Sequence, residues 1–316
     1  MLDWASGIRM PGRSFRGPLP AAGPETRRLR EELRRDVLRL SRDIGERHLG
    51  RPRALEAAAA LVEAALTEAG WSVRRQSYQV DGRLCHNLEG ELRGGHEIIV
   101  VGAHYDSIPG CPAANDNASG VAALLALARE LGRRRYPRTL RLLAFVNEEP
   151  PYFQTASMGS RVYARECRQK QERVVGMICL ETIGFYSDRK GSQQYPLLPL
   201  KLLYPSTGDF VAFVANAAST AWLREVIGRF RELAAFPSVG AALPAAIPGV
   251  DWSDHWSFWQ EGYPALMITD TAPFRYPHYH TAEDTADKLD YDRMARVVQG
   301  IERVLDAVAA SEGVPA

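Results

Sequence analysis

The 316-residue sequence predicts a single α/β domain, a mostly parallel central sheet with helices on both faces. Three observations carry that expectation. Short apolar runs alternate with amphipathic or alanine-rich stretches, so the hydrophobic period switches repeatedly between that of a strand and that of a helix. Reactive side chains recur directly after the apolar runs, and sites in open α/β sheets form beyond the carboxyl ends of strands. The chain is also long enough to bury a substantial core, and it contains no internal repeat or low-complexity tract.

Residues 1–24 carry Arg9, Arg13 and Arg16 among glycines and prolines and predict a flexible arm, with the folded domain spanning 25–316. Two helices follow, at 25–48 and 53–69. In the first, Leu29, Leu33, Val37 and Leu40 keep helical spacing between Arg27, Arg28, Arg30, Arg34, Arg35 and Arg39, so the arginines form its solvated face. The second closes on Gly70. Strands are expected at 71–80 and 84–92, joined by a tight turn at Asp81-Gly82. Residues 98–101 form a short apolar strand, and 120–131 an alanine- and leucine-rich helix ending before Gly132. A strand at 139–146, a helix at 157–168, strands at 174–180 and 265–269, and a final helix at 291–310 continue the alternation. Residues 185–207, with Pro196, Pro199 and Pro205, and residues 236–252, rich in proline and alanine, lack periodicity and read as loops that could wall a pocket.

Composition narrows the function. A formal net charge of +1 argues against a general role on nucleic acid or anionic membrane. No apolar run reaches the ~20 residues that a bilayer helix needs. Cys85, Cys111, Cys167 and Cys179 lack the short spacing of a zinc ribbon or dithiol motif, and one disulfide stays open. Residues 1–24 hold no continuous apolar segment of a secretory signal, so the expected place is the cytoplasm.

The chemistry concentrates in Val100-Val101-Gly102-Ala103-His104-Tyr105-Asp106 and the following Asn115-Asp116-Asn117-Ala118-Ser119-Gly120. Glu148-Glu149, Glu181 and His280 supply the same donor types after later strand-like runs. An imidazole and carboxylate set of this kind suits a hydrolytic metal centre. Neighbouring residues on extended backbone point in opposite directions, so one of Glu148 and Glu149 can bind metal while the other faces the reaction water. His104 and Asp106, two apart, share a side, and Asp106 is expected to accept the second N–H of the His104 ring. If Asp116 bridges two ions, His104 and Glu181 complete one site and Glu149 and His280 the other, each with an open position. Two divalent ions then face three ligating carboxylates, which leaves a net attraction for a bridging hydroxide. Glu148 is left as general base and later acid, and Tyr279 can donate to the oxyanion. The donor set favours zinc, with manganese or cobalt as substitutes.

Other residues carry less. His48, His86, His96 and His278 stand alone and read as ordinary surface or hydrogen-bonded histidines. Ser253-Asp254-His255 suggests a triad, but three consecutive residues cannot converge on one nucleophile, so they are expected to form the pocket wall or to support the ligands beside it. Trp252, Trp256, Phe258 and Trp259 read as packing.

In this order the residues resemble the family-28 metallopeptidases, the co-catalytic zinc exopeptidases that include aminopeptidases, glutamate carboxypeptidase and, as a relative, glutaminyl cyclase. The resemblance runs from about residue 30 to the end. It rests on His104-Tyr105-Asp106-Ser107, Asn115 to Gly120, Val146-Asn147-Glu148-Glu149, Glu181-Thr182-Ile183-Gly184 and Tyr279-His280-Thr281-Ala282-Glu283-Asp284-Thr285. It implies the zinc-exopeptidase, phosphorylase/hydrolase-like fold and a peptide substrate. It also implies two zinc ions on His104, Asp116, Glu149, Glu181 and His280, Glu148 as base, and Tyr279 polarising the scissile carbonyl. Glu181 departs from the pattern, since many members carry aspartate there. The run 147–154 looks like a bacterial subgroup. The expected activity is that of an aminopeptidase. One alternative is a glutaminyl cyclase-like acyltransferase with a single zinc; Tyr279, where cyclases are expected to carry tryptophan, and residues 117–120 favour the peptidase. A second is a non-catalytic binding protein on the same scaffold, which predicts decayed ligands where this set is complete. Side-chain preference, the amino or carboxy direction and oligomeric state are not legible here.

Overall fold

In the computed structural model, which describes residues 7–311, eight strands form one sheet. They are β1 (Ser72–Val80), β2 (Arg83–Leu92), β3 (Glu97–His104), β4 (Thr139–Phe145), β5 (Arg173–Glu181), β6 (Val211–Ala215), β7 (Ser238–Ala242) and β8 (Ala265–Thr269). Their spatial order is β1-β2-β4-β3-β5-β8-β6-β7. The inner strands β4, β3, β5 and β8 run parallel. The β1–β2 hairpin joins antiparallel on one side, and β6 meets β8 antiparallel on the other while pairing in parallel with β7. The expected α/β architecture is therefore present, with antiparallel additions at both flanks.

Burial explains the strand sequences. β3 and β4 are covered on both faces and buried throughout, so their sequences lack the alternation of a half-solvated strand. Successive β3 side chains enter two different cores. Ile99, Val101 and Ala103 face α1 (Pro24–Leu38), α2 (Pro52–Glu68), α3 (Gly120–Leu131), α6 (Thr220–Leu233) and α8 (Tyr291–Ala310). Ile98 and Val100 face α4 (Gly159–Gln169) and α7 (His255–Gln260). The small remaining helix is α5 (Leu198–Leu203). α3 lies among α1, α2, α8 and the sheet, and its near-complete burial accounts for its run of alanine and leucine. Leu29, Leu33 and Val37 of α1 and Leu40 just after it are buried, and the arginines lie outward.

Several boundaries move. The first helix ends at Leu38 and continues only as a wider turn over Arg39–Ile44, stopping at Gly45 in the left-handed region at φ 79°. The loop expected at 236–252 contains β7, and the one at 185–207 contains α5. β7 reads Ser-Val-Gly-Ala-Ala and has almost no strand propensity of its own; pairing with β6 makes it a strand. Residues 208–235, left without an expectation, hold β6 and α6. Among the described residues of the arm, Ser14 accepts from the Ser238 amide, and Arg231 donates to the Pro11 carbonyl. These contacts cover the outer edge of β7. All four cysteines are free and buried. Among the described residues no helix is long and apolar enough to cross a membrane.

Candidate metal centre

Because β4, β3 and β5 are parallel neighbours, their carboxyl ends open on one side of the sheet, and the expected ligands gather there. His104 is the last residue of β3 and Glu181 the last of β5. Glu148 and Glu149 leave the end of β4 through Asn147, whose φ is 60°. Asp116 lies in the turn before α3, and His280, at φ 58°, lies in the segment after β8. Backbone held in the left-handed region at two such points is the kind of strain that clusters at functional sites.

Asp116 stands between the two imidazoles. Its Oδ1 is 3.2 Å from His104 Nε2 and its Oδ2 is 2.9 Å from His280 Nε2. Glu181 Oε2 lies 3.3 Å from His104 Nε2, and Glu149 Oε2 lies 3.3 Å from His280 Nε2. The result is two three-residue groups, His104–Asp116–Glu181 and Asp116–Glu149–His280, that share one carboxylate. Glu148 Oε2 is 3.9 Å from His104 Nε2, and His104–Glu148–Glu149 also cluster within ligand range.

The residues fit a cation site. Both nitrogens of the buried His104 ring and Oε1 of Glu149 lack a hydrogen-bond partner. Four carboxylates crowd together out of water, at Asp116, Glu148, Glu149 and Glu181. Burial, reinforced by Asp116, pushes Glu149 up to about 7. Burial likewise holds Glu148 well above the ordinary carboxylate range, against the pull of His104. At Asp116 the two imidazoles outweigh burial and hold its pKa below the ordinary range. At His280, hydrogen bonds to Asp116 and Glu149 outweigh burial and lift the ring to about 10. Protons thus do in part what divalent ions would do fully. A pH effect follows with a definite sign. An ion must displace the His280 proton and, toward the acid end, the Glu149 proton as well, so metal affinity is expected to rise with pH, at least about tenfold per unit across pH ~6 to 8. Chelator competition at several pH values checks this; a flat profile would mean that the imidazole is not displaced.

The supporting contacts differ from expectation in one place. Asp106 does not hydrogen-bond the His104 ring: its Oδ1 is 3.6 Å from Nδ1, too far for such a bond. Its two oxygens instead accept the Glu148 and Glu149 amides, each at 3.2 Å, because the chain turns sharply as it leaves β4. Asp284 does the same for Asp116. Its oxygens accept the Asn115 and Asp116 amides at 2.8 and 3.1 Å, and Tyr276 donates to it. The Asn117 side chain ties this turn to β5 by donating to the Leu180 carbonyl and accepting from Thr182 and Gly120. A Cβ on Gly120 would sit 2.3 Å from Asn117 Oδ1, so no side chain fits there.

Ser253 donates to Glu181 Oε2 at 2.6 Å and sits 3.1 Å from the Cys179 sulfur. Its neighbour His255 faces the Val250 carbonyl, and burial lowers its pKa to about 4, so the three residues do not form a triad. Ser253 is thus beside the pocket as expected, but its bond to Glu181 and the supporting roles of Asp284 and Asn117 do not follow from the sequence. The only available signal was their place in or beside the quoted motifs.

Tyr279 stacks on His280 at 3.9 Å between ring centroids. It also lines, together with Glu181, a cleft partly open to solvent. Leu243, Val250, Met267, Trp252 and Phe274 line the cleft, and Tyr195 and Leu200 come from the other long connection. Both segments expected to wall a pocket therefore do so.

The model of peptidase family M28 matches residues 86–305. The chain belongs to this family. This M28 peptidase is 37% identical over 298 residues to YfbL of Escherichia coli K12, an uncharacterized protein, with 87% of each chain covered. It is 28% identical over 251 residues to leucine aminopeptidase 1 of Arthroderma otae, across 74% of its own length and 61% of that relative's. It therefore spans about three fifths of the leucine aminopeptidase that it matches. Its fold is similar to that of BSAP, a zinc aminopeptidase from Bacillus subtilis, at a TM-score of 0.71 and 15% identity, covering 94% and 97% of the two chains. It is also similar to Porphyromonas gingivalis glutaminyl cyclase, at 0.67 and 20% identity, covering 88% and 98%. At these identities the two likenesses concern the fold alone.

Proposed function

We propose that this M28 peptidase is a zinc-dependent aminopeptidase that releases apolar residues from the amino ends of peptides. The observation that carries the direction of attack is the charge of the cleft. Glu181 is the one charged side chain among its lining residues, and Arg275, which bonds Gln193 and the Phe210 carbonyl, is buried behind the wall. An α-ammonium group finds the site's carboxylates there, whereas a terminal carboxylate finds no cationic side chain in the lining to pair with.

His104, Asp116 and Glu181 would hold one ion, and Asp116, Glu149 and His280 the other. Ions held there supply Lewis acidity and a water of lowered pKa. Glu148, which neither shared-carboxylate group needs, takes a proton from the attacking water and returns it to the leaving amine. Its burial-raised pKa suits both directions of transfer. Asp106 keeps its backbone in place. The Tyr279 hydroxyl donates to the carbonyl oxygen as charge develops on it. The apolar cleft receives the first side chain of the substrate.

Phe274 supports that last role through its 6.4 Å stacked contact with the half-exposed Trp252. Phe274→Ala is expected to lower kcat/KM about tenfold for leucyl or phenylalanyl substrates while sparing alanyl ones. An equal loss on all three would detach this wall from side-chain selection.

Mass spectrometry of digests of the zinc-loaded protein tests the whole reading. Peptides amidated at the carboxy end should be trimmed, and N-acetylated ones left intact. Cleavage of the acetylated set from its carboxy end would reverse the direction. Release of ammonia from N-terminal glutamine, without free amino acids, would establish the cyclase reading in its place.

A further inference from the structure

We infer that Arg47 is a positioning residue of the metal centre, a buried brace that sets the spacing between His104 and Asp116 through the fork of its guanidinium. The inference rests on the metal-binding reading of that site. Arg47 lies between α1 and α2 and is 0% exposed. Among the described residues it forms no ion pair with a carboxylate within 4.0 Å; its donors point at backbone instead. Nε donates to the Tyr105 carbonyl at 2.9 Å. One terminal nitrogen reaches Leu40, Gly45 and Pro112 at 3.0, 2.8 and 2.9 Å, and the other reaches Ala113 at 3.1 Å. The Arg47 amide donates to Ser107 Oγ at 3.0 Å, and its carbonyl accepts the Ser107 amide at 2.8 Å.

The position of these carbonyls gives the residue its role. Tyr105 directly follows His104 at the end of β3. Pro112 and Ala113 end the same loop just before the turn that carries Asp116. One rigid plane therefore ties both ends of the segment joining two proposed ligands, and it anchors them to the turn that follows α1. Asp284 holds the Asn115 and Asp116 amides, so the Asp116 turn has two separate restraints. Burying an arginine without a carboxylate partner is costly and uncommon. Five carbonyls at fixed distances account for its presence. Asp106, Asp284 and Asp116 favour its charge through space, and burial brings its pKa down only to about 10, so it stays protonated at neutral pH. Lysine would keep the charge, but its single ammonium has no fork with which to span the two ends of the loop.

The test is zinc titration of the metal-free full-length protein against a chelator, for wild type, R47K and R47Q, with cobalt(II) absorption spectra of each. Thermal melts of the metal-free proteins separate stability from binding. Both variants are expected to bind zinc about 10- to 100-fold more weakly, as when groups that orient metal ligands are lost, and to show altered cobalt bands. Ser107→Ala, which loosens the brace without removing the cation, should weaken zinc by a smaller factor and serves if the arginine variants do not fold. Wild-type zinc affinity in folded variants, even with lower melting temperatures, would reduce Arg47 to a purely stabilising residue and overturn the inference. Full restoration in R47K would overturn the geometric role in favour of charge. Failure of the wild-type protein itself to take up zinc would instead remove the metal centre and, with it, this role.

Discussion

Replacing Glu148 with glutamine is expected to leave zinc content at the wild-type level and to lower kcat by roughly 10²- to 10⁴-fold. Glutamine keeps the size of the side chain and leaves the Glu148 amide free to donate to Asp106, so local geometry should survive. What it loses is the ability to carry a proton between water and leaving amine. Glu148 also lies within ligand range of His104 and Glu149, so metal analysis of the variant is decisive. Full turnover would remove Glu148 as the base. Loss of metal would make it a ligand and send the search for a base elsewhere.

Asp116→Asn is expected to have the broadest effect. Asp116 alone belongs to both of the groups that share it, with one oxygen toward each histidine. An amide lacks the negative charge that both sites share, keeps only one, weaker oxygen donor and points an N–H₂ at the other imidazole, so both sites lose affinity together. Zinc uptake and peptidase activity should fall to background. Thermal melts give an independent readout, because wild-type protein should gain about 2.7 kcal/mol at zinc concentrations near 100 times Kd. The variant should gain almost nothing. A variant that keeps one tightly bound zinc would show that the two groups do not depend on a common carboxylate.

Most of the site was legible because its residue types are rare in combination and each follows a strand-like run. The sequence marks His104, Asp116, Glu148, Glu149, Glu181 and His280, and the structure brings them into one cluster. The role of Asp106 was not legible. Spacing places it beside His104, but only the turn after β4 shows that it accepts backbone amides instead. α6 is a different case. Trp222, Val226 and Phe230 keep helical spacing and are buried, so its signal was present, whereas the five-residue β6 and β7 carry too little pattern to stand out.

The amino-acid sequence alone settled the fold class, the donor chemistry and the stretches of chain that supply it, because hydrophobic period and residue type are properties of a few neighbouring residues. Tertiary structure alone decided that Asp116 sits between His104 and His280, that Ser253 serves Glu181, that no cationic side chain is among the residues lining the cleft, and that Arg47 lies beneath the loop. These depend on which strands are neighbours and in what register. That is set by the packing of two cores around the sheet, and no local stretch of chain encodes it.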